Sequence, residues 1–285
     1  MTFNEGAKID PSRVRRRGRT GIAVGAGGGL LVLGLFIVSQ FIGIDLTGLA
    51  GGGASDPADD QALTECTTAE AANGSIDCRI AGAADSLDTY WAQTLQDYRT
   101  TNIVLFTDQA STGCGGATSA VGPFYCPSDE TIYVDTAFYD ELRGRFGSSG
   151  GPLAEMYVIA HEWGHHIQNV AGIMTGLDRE DTGPASDSVR LELQADCFAG
   201  AWVGAAPTIT NDDGVAFLDP VTPEQVTDAL SAASAVGDDR IQESTQGQVT
   251  PETWTHGSSE KRQQWFMIGY DGGPDACNTF EVSTP

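Results

Sequence analysis

Three of the four histidines in this chain lie within six residues of one another, in the segment PLAEMYVIAHEWGHHIQNVAG. Pro152 suits the first turn of a helix and Gly172 suits its end, so the segment is predicted to form one continuous helix. On that helix His161 and His165 are one turn apart, and both imidazoles can bind one Zn²⁺. Glu162 lies about 100° further round, within reach of a water on the metal as a general base. The spacing predicts a catalytic zinc centre.

The pattern His-Glu-x-x-His also arises by chance, and a surface histidine pair beside an incidental glutamate is the alternative interpretation. His166, one step further round the predicted helix, is interpreted as a satisfied polar neighbour and receives no role in the site. Position 171, six residues after His165, is alanine. This alanine excludes the metzincins, whose third ligand is a histidine at this spacing.

A catalytic zinc needs three protein ligands, so one more must come from elsewhere in the chain. The best candidate lies in a second predicted helix, SDSVRLELQADCFAGAWV, in which Glu192 and Asp196 are four residues apart on one face. Glu192 could bind the metal while Asp196 accepts a hydrogen bond from the free nitrogen of a ligand histidine. The alternative is a pair of solvated acids on an exposed helix face.

Six segments, spread over most of residues 85 to 280, together resemble one bacterial family. They are LDTYW, AVGPFYCPSDETIYVD, HEWGHHIQN, RLELQADCFAG, ALSAASAVGDDRIQ and THGSSEKRQQWF. On these motifs the chain is similar to the putative neutral zinc metallopeptidases, which implies a zincin-like fold, one zinc ion and a single membrane anchor. The resemblance also implies that His161 and His165 bind the metal and that Glu162 is the base. It makes Glu192 the third ligand, with Asp196 in an arrangement like that of the gluzincins.

His256 is the only histidine outside the predicted zinc helix, and it precedes a predicted helix from Ser259 to Gly269. Its loop belongs to one of the family motifs, and loop positions at helix starts often carry function. One interpretation makes His256 a second catalytic residue, which donates a hydrogen bond as negative charge develops on an oxygen at the zinc. The alternative is a histidine that orders its own loop or bonds a helix carboxylate such as Glu260.

The chain carries 15 Lys and Arg against 39 Asp and Glu, a net charge of -24. Binding of DNA or RNA requires clustered cations, so no nucleic-acid partner is expected. Six of the cations lie before residue 20, namely Lys8, Arg13, Arg15, Arg16, Arg17 and Arg19. A short basic segment therefore precedes an acidic body.

An apolar stretch directly follows the basic segment. Residues 22 to 44 contain only Ser39 and Gln40 as polar side chains, and a helix of this length can span a bilayer. Because cations are retained on the cytoplasmic side, the stretch predicts a chain with its N-terminus inside and its body outside. The expected regions are a basic cytoplasmic segment (1–20), a transmembrane helix (21–44), a flexible linker (45–64) and an extracytoplasmic zinc metallopeptidase domain (65–285). A cleaved signal peptide is the alternative to an anchor.

Six cysteines occur, without the close spacing of a zinc ribbon or a redox motif. Disulfides are therefore expected, and they require an oxidising compartment, in agreement with an outward-facing domain. Six cysteines permit many pairings. The expected pairs are Cys66 with Cys78, Cys114 with Cys126, and Cys197 with Cys277. The first two pairs close short loops and leave the distant pair as the remainder.

These patterns together predict an α+β protein: a zincin-like metallopeptidase domain, mainly helical with a small sheet, after a single N-terminal transmembrane helix. Asn102 to Phe106 and Thr131 to Val134 are predicted strands, and TIYVD at Thr131 to Asp135 is the candidate for a strand beside the substrate. The predicted function is zinc-dependent hydrolysis of peptide bonds in the cell envelope. A non-catalytic, zinc-stabilised scaffold or binding module is one alternative, and a zinc amidase acting on a non-peptide substrate is another. No pattern bears on the oligomeric state.

Overall fold

The computed structural model describes residues 2–17 and 60–285. Within these ranges it is an α+β structure of eight α-helices and seven strands, in agreement with the predicted, mainly helical class. The helices are α1 (Ala69–Gly74), α2 (Ile76–Thr94), α3 (Phe138–Gly144), α4 (Pro152–Val170), α5 (Asp187–Ala205), α6 (Pro223–Ala235), α7 (Asp238–Gln246) and α8 (Ser259–Gly272). The strands are β1 (Val14–Arg17), β2 (Asp60–Ala62), β3 (Asn102–Phe106), β4 (Gln109–Thr112), β5 (Gly115–Thr118), β6 (Phe124–Cys126) and β7 (Thr131–Asp135).

Five strands form one mixed sheet in the order β2-β1-β3-β7-β6. β1, β3 and β7 are parallel, whereas β2 and β6 run antiparallel to their neighbours. β3 and β7 read as nearly continuous apolar runs because both of their faces are covered. One face packs on the main core, and the other belongs to a smaller cluster that includes Ala110 of the β4–β5 hairpin. β7, the expected strand beside the substrate, is thus paired on both sides, and β6 ends the sheet instead.

The main core is built around α4, the helix predicted from the histidine cluster. Pro152 is at its first position, as expected, and its body is buried on almost all sides against α2, α5 and α6. Leu153, Ile159 and Trp163 have essentially no exposed surface. A helix surrounded in this way is held in one position, which suits an element that must place several polar groups accurately.

Helices α5 and α8 approach each other more closely than ordinary side chains allow. A Cβ at Gly200 of α5 would overlap the carbonyl oxygen of Phe266, and a Cβ at Gly269 of α8 would overlap the carbonyl oxygen of Cys197. Glycine at these positions lets the two backbones touch, and the Cys197–Cys277 disulfide ties α5 to the segment after α8. The C-terminal helix is thereby fixed directly on the helix that carries the predicted third ligand.

The three disulfides are those expected from the sequence: Cys66–Cys78, Cys114–Cys126 and Cys197–Cys277. No free cysteine is found in the described part of the chain. The second bridge joins the turn between β4 and β5 to the edge strand β6. Each bridge lies at a junction between elements, where it limits the freedom of the unfolded chain and thereby stabilises the domain.

Residues 2–17 belong to the folded domain, in contrast to the expected boundary at residue 65. β1 is an interior strand between β2 and β3, and the expected linker contributes β2. The sequence pattern did not predict β1 because Val14 is the only apolar residue in VRRR. Pairing with β3, which only the tertiary structure supplies, decides its conformation.

The predicted transmembrane helix at residues 21–44 lies outside the described residues, as does the linker up to residue 59. Within residues 2–17 and 60–285, no helix combines the length and the apolar character needed to cross a membrane. Membrane attachment through residues 21–44 therefore stays a prediction.

We predict that Gly269→Ala lowers the free energy of unfolding by more than about 2 kcal/mol, because the new methyl group must push α8 away from α5. Gly144→Ala is the matched control. Gly144 is the last residue of α3, and a Cβ at this position would meet no atom within 4 Å. The substitution should therefore change the free energy of unfolding by less than about 1 kcal/mol. Urea unfolding measures both variants. Equal midpoints would show that α5 and α8 do not approach this closely.

Candidate metal centre

The predicted ligands on α4 and α5 lie together in the structure. One ligand atom from each of His161, His165 and Glu192 falls within a cluster 4.8 Å across. Glu192 Oε2 is 3.1 Å from His161 Nε2, and Glu192 Oε1 is 3.3 Å from His165 Nε2. Gly164, between the two histidines, permits this approach, since a Cβ there would lie 2.9 Å from the Cα of Ala195 on α5.

His161 is oriented by Asp196. Its Nδ1 is 2.9 Å from Asp196 Oδ1, so the protonated nitrogen donates to the carboxylate. This hydrogen bond fixes the orientation of the ring and directs Nε2 toward Glu192. The structure therefore places Asp196 behind the first histidine, in the arrangement that was expected for it.

His165 is oriented by a residue that the sequence analysis missed, Gln168. The His165 Nδ1 donates to Gln168 Oε1 at 2.9 Å. The Gln168 amide in turn donates to Leu191 O at 2.7 Å and to Gln194 Oε1 at 3.1 Å, both on α5. Gln168 is three residues after His165 on the same helix, and this spacing was the signal for a contact.

Arg262 of α8 is the second residue that was missed, although its motif RQQWF carried part of the family resemblance. Its guanidinium holds Asp196 with two hydrogen bonds, from Nε at 2.7 Å and from Nη2 at 3.0 Å, while Tyr157 donates its hydroxyl to the same carboxylate. Burial works against the charge of Asp196, but Arg262 and His161 keep the pKa of this carboxyl below its usual range. Asp196 is therefore an ionised, fully paired group.

The buried charge of Glu192 is offset by other partners than that of Asp196. Burial opposes its charge, yet the His165 and His161 imidazoles hold the pKa of the Glu192 carboxyl well below its usual range. Arg262 Nη2 is 3.9 Å away, beyond hydrogen-bond distance. An ionised carboxylate that faces two imidazole nitrogens is a donor set suited to Zn²⁺, with the three protein ligands that a catalytic zinc site uses. The residues present therefore fit a catalytic zinc site.

Glu162 lies beside the ligands with a different environment. It is buried, and no residue in the described ranges donates a hydrogen bond to its carboxylate. Burial raises the pKa of this carboxyl above its usual value, while His161 and His165 partly oppose the shift. A carboxyl group whose pKa is raised holds a proton more readily than a free carboxylate, so it is suited to accept a proton and to return it.

His256 does not bond Glu260. Its Nδ1 is 3.2 Å from Asp238 Oδ1, and Asp238 Oδ2 accepts the backbone N–H groups of Thr255, His256 and Gly257 at 2.7 to 2.9 Å. A Cβ at Gly257 would touch Val189 and Leu193 of α5, three residues before and one after Glu192. The loop therefore lies against the part of α5 that carries Glu192. Partial desolvation of the half-exposed imidazole would lower the pKa of His256, but Asp238 and Glu192 raise it.

His166 points away from the metal centre and is fully buried. Its Nε2 donates to Arg99 O at 2.6 Å, and its Nδ1 accepts from the Tyr125 hydroxyl at 3.1 Å. Burial lowers the pKa of this imidazole, in agreement with a neutral ring that uses one nitrogen as donor and the other as acceptor. His166 thus fastens α4 to the edge strand β6, and the structure gives it a structural role.

We predict that Gln168→Ala weakens zinc affinity by about 10 to 100-fold, because it releases the orientation of His165 without removing a ligand. Asn169→Ala is the matched control on the same helix, since Asn169 bonds Tyr125 and not a ligand. Competition with a chromogenic chelator measures both affinities. An unchanged affinity in Gln168→Ala would mean that His165 is held without this hydrogen bond.

The family of the chain follows from its relatives. The sequence model of the putative neutral zinc metallopeptidases matches residues 5–280. Uncharacterised proteins of Mycobacterium bovis and Mycobacterium tuberculosis are each 46% identical over 290 residues, covering 99% of this chain and 99% of each relative. The uncharacterised protein YpfJ of Escherichia coli is 38% identical over 264 residues, or 90% of this chain and 88% of YpfJ. No solved structure matches. The chain belongs to the putative neutral zinc metallopeptidase family.

Proposed function

We propose that the chain is a zincin-like peptidase that hydrolyses peptide bonds with the help of Zn²⁺. One observation carries the proposal: an ordered set of three ligands lies beside a buried carboxyl group, Glu162, whose oxygens accept no hydrogen bond from the described residues. A structural zinc site has no use for such a group, because its fourth position is closed by a protein ligand. A hydrolase needs it as a base.

In the proposed reaction His161, His165 and Glu192 would hold the metal. Bound Zn²⁺ supplies a Lewis acid that polarises a carbonyl and makes water acidic. Glu162 takes the proton from the attacking water and delivers it to the leaving amine, for which its raised pKa is suited. Asp196 and Gln168 keep the ligand imidazoles in one tautomer and one orientation, so the site is formed before substrate arrives.

His256 is the proposed donor to the oxygen that becomes negative in the transition state. Asp238 raises the pKa of this imidazole, which favours the protonated form and hence a stronger donor. Three backbone hydrogen bonds to Asp238 hold the loop, so the side chain is positioned by its own backbone. The imidazole itself is 49% exposed, so substrate can reach it. The alternative, a histidine that only orders its loop, is tested below.

An extended peptide is the proposed substrate, and β6 is the proposed docking strand. Extended peptides add to a free sheet edge through backbone hydrogen bonds. β6 ends the sheet, and Tyr125 at its centre bonds His166 and Asn169 of α4. The edge strand is therefore fixed to the helix that carries two of the ligands.

We place this activity outside the cytoplasm, on substrates of the cell envelope. The support is chemical: three disulfides tie the domain together, and bridges of this kind persist in oxidising compartments. A zinc amidase on a non-peptide substrate would use the same residues, and a zinc-stabilised scaffold would use the metal without turnover. Digestion of a broad peptide library distinguishes the peptidase from the other two candidate functions, because only a peptidase releases new peptide termini.

We predict that Glu162→Gln keeps zinc and the unfolding midpoint but lowers turnover by at least about 10²-fold, because the amide cannot accept the proton. Glu243→Gln, at an exposed position of α7, is the matched control and should leave turnover unchanged. Zinc content, thermal unfolding and peptide cleavage are measured on both. Full activity in Glu162→Gln would end the proposed mechanism.

We predict that His256→Ala retains zinc and cooperative unfolding while kcat falls by about 10² to 10³-fold with little change in KM, because a donor is lost in the transition state alone. Asp238→Asn should reduce kcat by a smaller factor, since the amide oxygen still accepts the backbone N–H groups. Normal kcat in His256→Ala, or a loss of activity explained by unfolding, would leave His256 as part of the scaffold.

A further inference from the structure

The basic N-terminal segment is held to the acidic domain by charge. Four of its cations form ion pairs with carboxylates of residues 60–285. The pairs are Lys8–Asp213 at 2.8 Å, Arg13–Asp88 at 2.9 Å, Arg17–Asp60 at 3.0 Å, and Arg16–Asp77. Exposed pairs contribute little each, so these contacts alone would not fix the segment. They do mean that Arg13, Arg16 and Arg17 have partners within the folded domain.

Backbone and core contacts hold the same segment more firmly. Phe3 has 1% of its surface exposed, and its ring lies where a Cβ of Gly82 on α2 would be. The backbone N–H groups of Asn4 and Ile9 donate to Phe217 O and Thr67 O, at 2.9 and 3.1 Å. Burial of apolar side chains of this kind is the dominant favourable contribution to folding.

β1 is also needed to keep the sheet continuous. Arg17 pairs with Asp60 of β2, and Val14 pairs with Ile103 of β3. Among the described strands β2 pairs only with β1, so removal of β1 would detach β2 and leave the β3 edge unpaired. Unpaired backbone groups at a sheet edge either remain exposed or must find another partner.

We propose that residues 2–17 and residues 60–285 lie in the same compartment, because they form one sheet and one core. A single crossing of a bilayer between residues 17 and 60 would separate paired strands, and the two arrangements exclude each other. Any membrane attachment in this interval must therefore enter and leave on the same face. Arg13, Arg16 and Arg17 then serve the fold. This role replaces the one expected from the sequence, in which the basic segment retains the N-terminus in the cytoplasm. The inference is independent of the proposed peptidase activity.

The chain leaves the described domain at Arg17 and re-enters it at Asp60, and these residues are paired neighbours. They lie at the β2–β1 side of the sheet, whereas β6, which is fixed to the metal-centre helix, lies at the opposite edge. A membrane attached between residues 17 and 60 would therefore be held at the side of the sheet away from β6.

Cross-linking tests the proposal in full-length protein within native membranes. Arg15 and Ala62 are directly opposed on β1 and β2 and are both exposed, so Arg15→Cys with Ala62→Cys should form a disulfide. Arg15→Cys with Gln61→Cys is the matched control, because neighbouring residues of a strand point to opposite faces. After cleavage at a protease site inserted between residues 50 and 55, the two fragments should stay joined on a non-reducing denaturing gel only in the first variant. No cross-link in either variant, or equal yields in both, would overturn the proposal.

Protease accessibility gives the second measurement. An epitope at the N-terminus and one at the C-terminus should be digested together or protected together in intact spheroplasts. Digestion of one epitope with protection of the other would overturn the proposal even if the cross-link formed in detergent. Protection of both epitopes would agree with the shared compartment but contradict the extracytoplasmic location. The experiment therefore tests the two proposals separately.

Discussion

The Asp196 carboxylate has no exposed surface, and side chains from α4 and α8 contact it where it projects from α5. Burial of an unpaired carboxylate costs several kcal/mol, so this group is tolerated only because its partners are complete. Arg262 supplies a forked pair of hydrogen bonds, and Tyr157 and His161 supply the others. The same contacts that offset the burial also fix the imidazole of His161, a proposed metal ligand, so core stability and site geometry depend on one group.

Close helix packing makes these contacts possible. Glycine at position 164 lets α4 lie on α5, and glycines at positions 200 and 269 let α5 lie on α8. With larger residues there, the side chain of Arg262 could not reach Asp196 at its present distances. Interiors are packed densely enough that a shift at one helix contact would be transmitted to the ligands. The three glycines are therefore required for the geometry of the candidate metal centre, as the polar side chains are.

Three carboxyl groups within this small volume have different properties because their surroundings differ. Burial opposes the charge of Asp196, but Arg262 and His161 lower its pKa and keep it ionised. In the same way, the imidazoles of His165 and His161 lower the pKa of Glu192 against the effect of burial. Glu162 receives no hydrogen bond from the described residues, and burial raises its pKa. Environment therefore separates the group that orients His161, the proposed metal ligand and the proposed proton acceptor, although the three side chains have nearly the same chemistry. Such separation is typical of catalytic sites and supports an enzyme over a zinc-stabilised scaffold.

Features that depend on local spacing could be predicted from the amino-acid sequence. One helical turn between His161 and His165, and one between Glu192 and Asp196, predicted which side chains share a face, and the 12-residue intervals predicted two of the disulfides. Contacts between distant segments could not be predicted in this way, because they form when the whole chain packs. Arg262 reaches the site across 66 residues, Asp238 reaches the His256 loop across 18, and β1 pairs with β3 although most of its side chains are arginine. Such contacts are set by the packing of helices and by strand neighbours, which no short-range pattern records.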